Sequence, residues 1–129
     1  MLLIKTRVLP GKYGLSLHTL VDIPKDAIIW QYNPIVDKEI LLHSVQYLTE
    51  IQKEFLQKYA YNDGKKLILC SDDARYFNHS FDYFNCNDWI HPVLGSVTSA
   101  KRFIEAGEEL TSNYGNFDND FEKYKHLLT

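Results

Sequence analysis

One internal stretch of this chain carries its apolar residues at a helical period. From residue 44 to about residue 60, Val45, Leu48, Ile51, Phe55, Leu56 and Tyr59 share a face, with Glu50, Lys53, Glu54 and Lys58 between them. Ser44 stands before this run as a candidate N-cap. The rest of the interior is short β-forming runs broken by Pro, Gly, Asn or Asp. Residues 2–8 alternate, Pro10-Gly11 marks a turn, and Leu15 to His18 alternate again. Residues 22–26 turn into a run from Ala27 to Tyr32 that Pro34 closes, and Asn62-Asp63-Gly64 introduces Lys66 to Cys70. Pro92 to Ala106 reads as two short strands broken at Gly95 and Gly107, and Leu110 to Tyr114 as the final one. Phe117 to Leu128 reads as a short terminal helix. The pattern predicts a strand-rich α+β fold, one domain over residues 1–129 with a helical insert at about 36–62. The absence of βαβ alternation and of a Gly-x-Gly-x-x-Gly turn argues against a Rossmann-type sheet.

Composition narrows the function. A content of 45% hydrophobic and 24% charged residues is that of a soluble globular domain. The apolar runs are too short to span a membrane, and Lys5 and Arg7 interrupt the N-terminal one, so no secretory leader is visible. The net charge of −3, from 17 acids against 14 bases, argues against direct nucleic-acid binding and suits a basic peptide partner. Cys70 and Cys86 alone make neither a disulfide framework nor a Cys-rich zinc site, which favours an intracellular, cytoplasmic or nuclear, protein. A thiol hydrolase built on Cys70 or Cys86 with His79 or His91 lacks any nucleophile signature. Nine tyrosines leave phenols to line a channel as well as a core.

Two runs hold the chemistry. Residues 75–80 read Arg-Tyr-Phe-Asn-His-Ser, and residues 107–115 read Gly-Glu-Glu-Leu-Thr-Ser-Asn-Tyr-Gly. Upstream lies Pro10-Gly11-Lys12-Tyr13-Gly14-Leu15, and between them Asn85-Cys86. Alone, each has an ordinary reading: a loop, a turn before a strand, a hairpin. Together and in this order they resemble the SET-domain protein-lysine methyltransferases, from about residue 10 to residue 117. That resemblance implies a β-fold of several short sheets with one helical insert and a pseudoknot-like C-terminal crossing. It implies methyl transfer from S-adenosylmethionine to a lysine of a protein or basic peptide, such as a histone tail.

The resemblance also implies roles. Tyr114 matches the catalytic tyrosine, and Tyr32 the channel tyrosine beside the amine. Lys12, Tyr13, Gly14, Arg75, Asn78, His79 and Tyr114 match the cofactor-binding positions, with Phe117 and Phe121 as candidates for the adenine ring. Lys12 stands where the family has the first glycine of its turn, and Asn113 where it has Asp. Glu108 and Glu109 read as structural. Ser112 lies two before Tyr114, where the family often has Phe or Tyr. Its small size implies a channel open beyond monomethylation unless Tyr83, Phe84 or Trp89 fills the space. The chain has no cysteine after Cys86, so a four-thiolate zinc site is not expected and no metal is assigned. A non-catalytic SET-like module binding a peptide or methyl-lysine is the alternative.

Overall fold

A computed structural model describes residues 1–11, 14–62, 66–80 and 82–113 of the chain. Strands β1 (Thr6–Gly11) and β2 (Gly14–Thr19) form a hairpin, in register from Thr6 opposite Thr19 to Gly11 opposite Gly14. Two glycines close it for different reasons. Gly14 sits at φ 104°, a conformation L side chains rarely adopt, whereas a Cβ on Gly11 would lie 2.9 Å from Ser16 Oγ. Pro10-Gly11, where a turn is expected, is instead the end of β1.

The central sheet has the order β3-β9-β8-β10-β7, from β3 (Ile28–Gln31), β9 (Gly95–Ala100), β8 (Cys86–His91), β10 (Thr111–Ser112) and β7 (Asn78–His79). The first three are antiparallel neighbours, while β10 runs parallel to both β8 and β7. β10 therefore enters between two earlier strands, which is the crossing that brings distant motifs together. Asn85 holds it there: its buried amide donates to the Glu109 carbonyl at 2.8 Å and accepts from the Thr111 N–H at 2.9 Å. Under this sheet lies a core of Leu17, Ile23, Ile29, Cys86, Ala100, Ile104 and Leu110.

The insert is a second unit with its own core. Strands β4 (Lys38–Leu41), β5 (Ala60–Asn62) and β6 (Lys66–Leu69) form an antiparallel sheet in the order β4-β6-β5. Val45, Leu56 and Leu67 pack together against it. The helix expected from Ser44 is divided: a 3-10 turn covers Leu42–Tyr47, and α1 covers Glu50–Tyr59. Thr49 and Gln52 explain the boundary, since the Thr49 hydroxyl accepts from the Gln52 N–H while the Gln52 amide accepts from the Thr49 N–H. Ser44 instead donates to the Leu41 carbonyl at 2.6 Å. Residues 92–94 also differ from expectation, forming the turn of the β8–β9 hairpin; between Ala100 and Gly107 the strand expected there is a single bridge, Ile104 to Ile23. The terminal helix expected from Phe117 lies outside the described residues.

Candidate active site

The parallel pairing of β7 with β10 sets Asn78 opposite Thr111 and His79 opposite Ser112. The two sequence runs are thus hydrogen-bonded neighbours. The N-terminal hairpin joins them from the other side: Leu17 O accepts from the Leu110 N–H at 2.8 Å, and Thr19 O accepts from the Gly107 N–H at 2.7 Å. Asn78 ties all three, its amide donating to the Glu109 carboxylate at 2.9 Å and to the Leu15 carbonyl at 3.3 Å. Next to Leu15, a Cβ on Gly14 would meet nothing within 4 Å among the described residues, which leaves the backbone there room for close approach by a ligand. Glu109 therefore carries a structural part with a definite partner. Glu108 is likewise structural, because the Arg102 guanidinium hydrogen-bonded to it at 2.9 Å holds its carboxyl below the usual range.

On the opposite face, strand alternation builds a cleft. The registers set Trp30 opposite Thr98, Thr98 opposite Asp88, and Ser112 opposite Cys86, two residues from Asp88 on the same side of β8. Trp30, Thr98, Asp88 and Ser112 thus form a row across four strands and line a cleft closed by Phe77 and Arg75. The Thr98 hydroxyl donates to Asp88 Oδ1, and the Ser112 hydroxyl also bonds this carboxylate. Burial pushes the Asp88 carboxyl up to about 6, and the two hydroxyls pull against that rise.

The anticipated site residues distribute unevenly around these two faces. Gly14, Asn78 and the backbone of His79 gather at the hairpin side. Ser112 lines the cleft. Arg75 lines it too, with its Nε donating to the Cys70 carbonyl at 3.1 Å and its guanidinium 5.6 Å from the Tyr59 ring. It is thereby turned toward the insert rather than toward Asn78. Tyr32 packs on the Trp30 cluster with its phenol bonded to Glu39; burial and the Glu39 charge raise that phenol above its ordinary value. It is not among the described residues lining this cleft, where its strand neighbour Trp30 stands instead.

None of the three aromatics proposed to fill the space beside Ser112 lines this cleft. Tyr83 is 87% exposed, Phe84 lies under the Lys101 ammonium at 3.9 Å, and Trp89 donates to Ser99 Oγ at 3.0 Å. The period of β8 explains Trp89, since a strand that turns residue 88 into the cleft turns residue 89 away. The same period was the available signal for Asp88, Trp30 and Thr98, but it needed the position of β8, which carries no strong β pattern in sequence. Lys12, Tyr13, Tyr114, Phe117, Phe121 and the His79 side chain lie outside the described residues.

Both cysteines are buried and free, and burial pushes their thiols up, the opposite of what a nucleophile needs. His91 caps its own turn, accepting from the Val93 and Leu94 N–H groups. Among the described residues, no three His, Cys, Asp or Glu side chains cluster to hold a metal, and no helix is long and apolar enough to cross a membrane.

Comparison with known proteins gives the same picture. A histone-lysine N-methyltransferase, H3 lysine-36 specific, from Mycosarcoma maydis is 32% identical over 123 residues, covering 87% of this chain and 12% of that protein. The chain thus spans about an eighth of that relative's length. A crystal structure of a Plasmodium falciparum protein assigned as a histone methyltransferase superposes with a TM-score of 0.62 at 21% identity, covering 87% of this chain and 94% of the other. A structure of ctPRC2 in complex with H3K27me3 and H3K27M gives 0.65 at 19% identity, covering 87% and 14%. These two likenesses concern the fold. The model of the SET domain matches residues 14–115, most of the chain, and the protein belongs to the SET-domain family.

Proposed function

We propose that this domain is a protein-lysine methyltransferase that moves a methyl group from S-adenosylmethionine to a lysine amine. The observation that carries the reading is the pairing of β7 with β10, which sets the Asn-His step beside the strand leading to Tyr114. The open backbone at Gly14, one residue from the carbonyl that Asn78 bonds, fits a ligand lying against the hairpin. Gly14, Asn78 and His79, with Lys12, Tyr13 and Arg75, are proposed to hold S-adenosylmethionine, and Phe117 or Phe121 to cover its adenine. No metal is assigned a part.

The reaction is an in-line displacement. The amine lone pair forms the new C–N bond as the C–S bond breaks and its electron pair returns to sulfur. The amine must first lose its proton, at a cost of about 4.6 kcal/mol for an unperturbed lysine at pH 7. An apolar wall such as Trp30 and Phe77 disfavours the ammonium and lowers that cost. Tyr114, with Tyr32, is proposed to orient the lone pair, and alignment of the reactants supplies most of the acceleration. A slightly acidic domain suits a basic peptide, and the name of the Mycosarcoma relative makes a histone tail the first substrate to try, which would set the protein in the nucleus.

Titration calorimetry with S-adenosylmethionine, followed by methyl transfer to histone H3 tail peptides read by mass spectrometry, tests this. Cofactor binding with transfer is expected. Binding of a methyl-lysine peptide without cofactor binding or transfer would favour the non-catalytic module.

A further inference from the structure

The cleft contains a carboxylate that nothing in the reading above uses. Ser112 is small at the position where the family often has an aromatic ring, and the space in front of it is not filled by Tyr83, Phe84 or Trp89. Asp88 reaches it from β8, bonded by the Thr98 and Ser112 hydroxyls. Trp30 and Phe77 make the neighbouring wall apolar, so a charge here is screened less than at the open surface. Among the described residues on the wall Asp88 is the one carboxylate; the one fixed cation, Arg75, has its guanidinium over the Phe55 and Tyr59 rings. Ser112, on the wall of the cleft, lies two residues before Tyr114, where the lysine end of a substrate must arrive if the methyltransferase reading holds.

We propose that Asp88 is the amine-orienting residue of this enzyme: its carboxylate, held by Thr98 and Ser112, accepts an N–H hydrogen bond from the substrate ε-nitrogen and thereby limits transfer to two methyl groups. A neutral primary amine has two N–H bonds and a monomethylamine one, so both can donate to Asp88 while the lone pair faces the methyl donor. A neutral dimethylamine has none. Its protonated form has one, but donating that N–H turns the blocked lone-pair direction toward Asp88 and away from sulfur. After each transfer the ammonium product gives its proton to water before another round. A carboxyl of pKa about 6 is mostly ionised at neutral pH, which keeps the acceptor available; its charge also favours the ammonium and so works against the apolar wall in the deprotonation step. The expectation from Ser112 alone is passage beyond monomethylation; Asp88 adds the upper limit.

The test compares initial rates on histone H3 tail peptides bearing one unmodified or one dimethylated target lysine. Wild type and the Asp88→Asn, Asp88→Leu and Asp88→Ala variants are measured at saturating S-adenosylmethionine, with products counted by mass spectrometry. Wild type is expected to favour the unmodified peptide at least 100-fold and to accumulate dimethyl-lysine. Asp88→Asn keeps an acceptor oxygen and should keep the preference. Asp88→Leu keeps the bulk without the acceptor, and its ratio should fall below 10; Asp88→Ala should behave the same way and stands in if the Leu variant does not fold. Trimethyl-lysine from wild type, or one ratio across all four proteins, overturns the proposal while leaving the methyltransferase reading intact. No transfer by wild type overturns both.

Discussion

The crossing and the insert are stabilised by different physics. Where β10 enters between β8 and β7, side chains bond to backbone: Asn85 to Glu109 and Thr111, Asn78 to Leu15, with a further bond from Asn78 to the Glu109 carboxylate. Such contacts are directional and tolerate little displacement, which suits a place where two distant segments must meet in one register. The insert relies on an apolar cluster of Val45, Leu56 and Leu67 and on a helix with a reciprocal N-terminal cap. Those contacts specify burial more than position. The site therefore depends on the first region, and the second reaches it through Tyr59, which lines the cleft, and through Arg75, whose guanidinium lies over Phe55 and Tyr59.

The largest expected effect lies at the proposed reaction centre. Tyr114→Phe removes one hydroxyl with almost no change in volume and should lower kcat by roughly 100-fold or more, the scale of a lost transition-state hydrogen bond. Titration with S-adenosylmethionine should show affinity within a few-fold of wild type. A wild-type rate in the variant would remove Tyr114 from the mechanism.

Next come two truncations that set the regions against each other. Asn85→Ala leaves a part-buried carbonyl and a part-buried N–H without their partners and should cost about 2–3 kcal/mol. Leu56→Ala opens space in the insert's core and should cost about 2–3 kcal/mol. Denaturant unfolding measures both. The contrast is in function: Asn85→Ala should also lose S-adenosylmethionine binding under conditions where it remains folded, and Leu56→Ala should not. Equal loss of binding in both would mean the insert and crossing act as one unit.

How far each region was legible in sequence follows from the same contrast. The crossing was readable because its residues form contiguous runs: Asn78-His79 and Leu110 to Tyr114 are spelled out, and the resemblance supplied their meeting. The insert was readable as helix and strand by periodicity, but the start of its helix was not. Ser44 has the chemistry of a cap, yet the reciprocal pair is Thr49 and Gln52, three apart and inside the periodic run. The cleft row was invisible. Trp30, Asp88, Thr98 and Ser112 come from four strands, and only the registers of a sheet with a late central strand align them. Asp88 in particular sits in β8, whose residues Cys86, Asn87 and Asp88 have little intrinsic preference for strand.

A smaller effect concerns acidity at that row. Asp88 is raised to about 6 from an ordinary 3.8, so between about pH 4 and pH 6 the folded state binds more protons than the unfolded chain. Its contribution to stability therefore worsens as pH rises through that window, and the full penalty is present above about 6. Asp88→Asn removes it. The difference in stability, variant minus wild type, should be near zero at pH 4 and about 1 kcal/mol in the variant's favour at pH 7, below the full shift because the cleft admits water. Glu108, depressed by Arg102, has the opposite dependence but is common to both proteins and cancels in the difference. A flat difference curve would show that Asp88 is solvated as an ordinary carboxylate.

The smallest effect sharpens the division between the regions. Thr49→Ala removes the hydroxyl that accepts from the Gln52 N–H and should cost about 1 kcal/mol. If α1 opens separately from the central sheet, hydrogen exchange should quicken by roughly five-fold at the amides of residues 53–59, the fold-change that about 1 kcal/mol represents. The amides of β8 and β9 should exchange as before. Arg75 would lose part of its seat on Phe55 and Tyr59, so a modest rise in KM for peptide with unchanged kcat is expected alongside. Faster exchange throughout β8 and β9 would mean that the helix cap supports the whole domain, and that the insert's apolar cluster and the polar crossing fold as a single cooperative body.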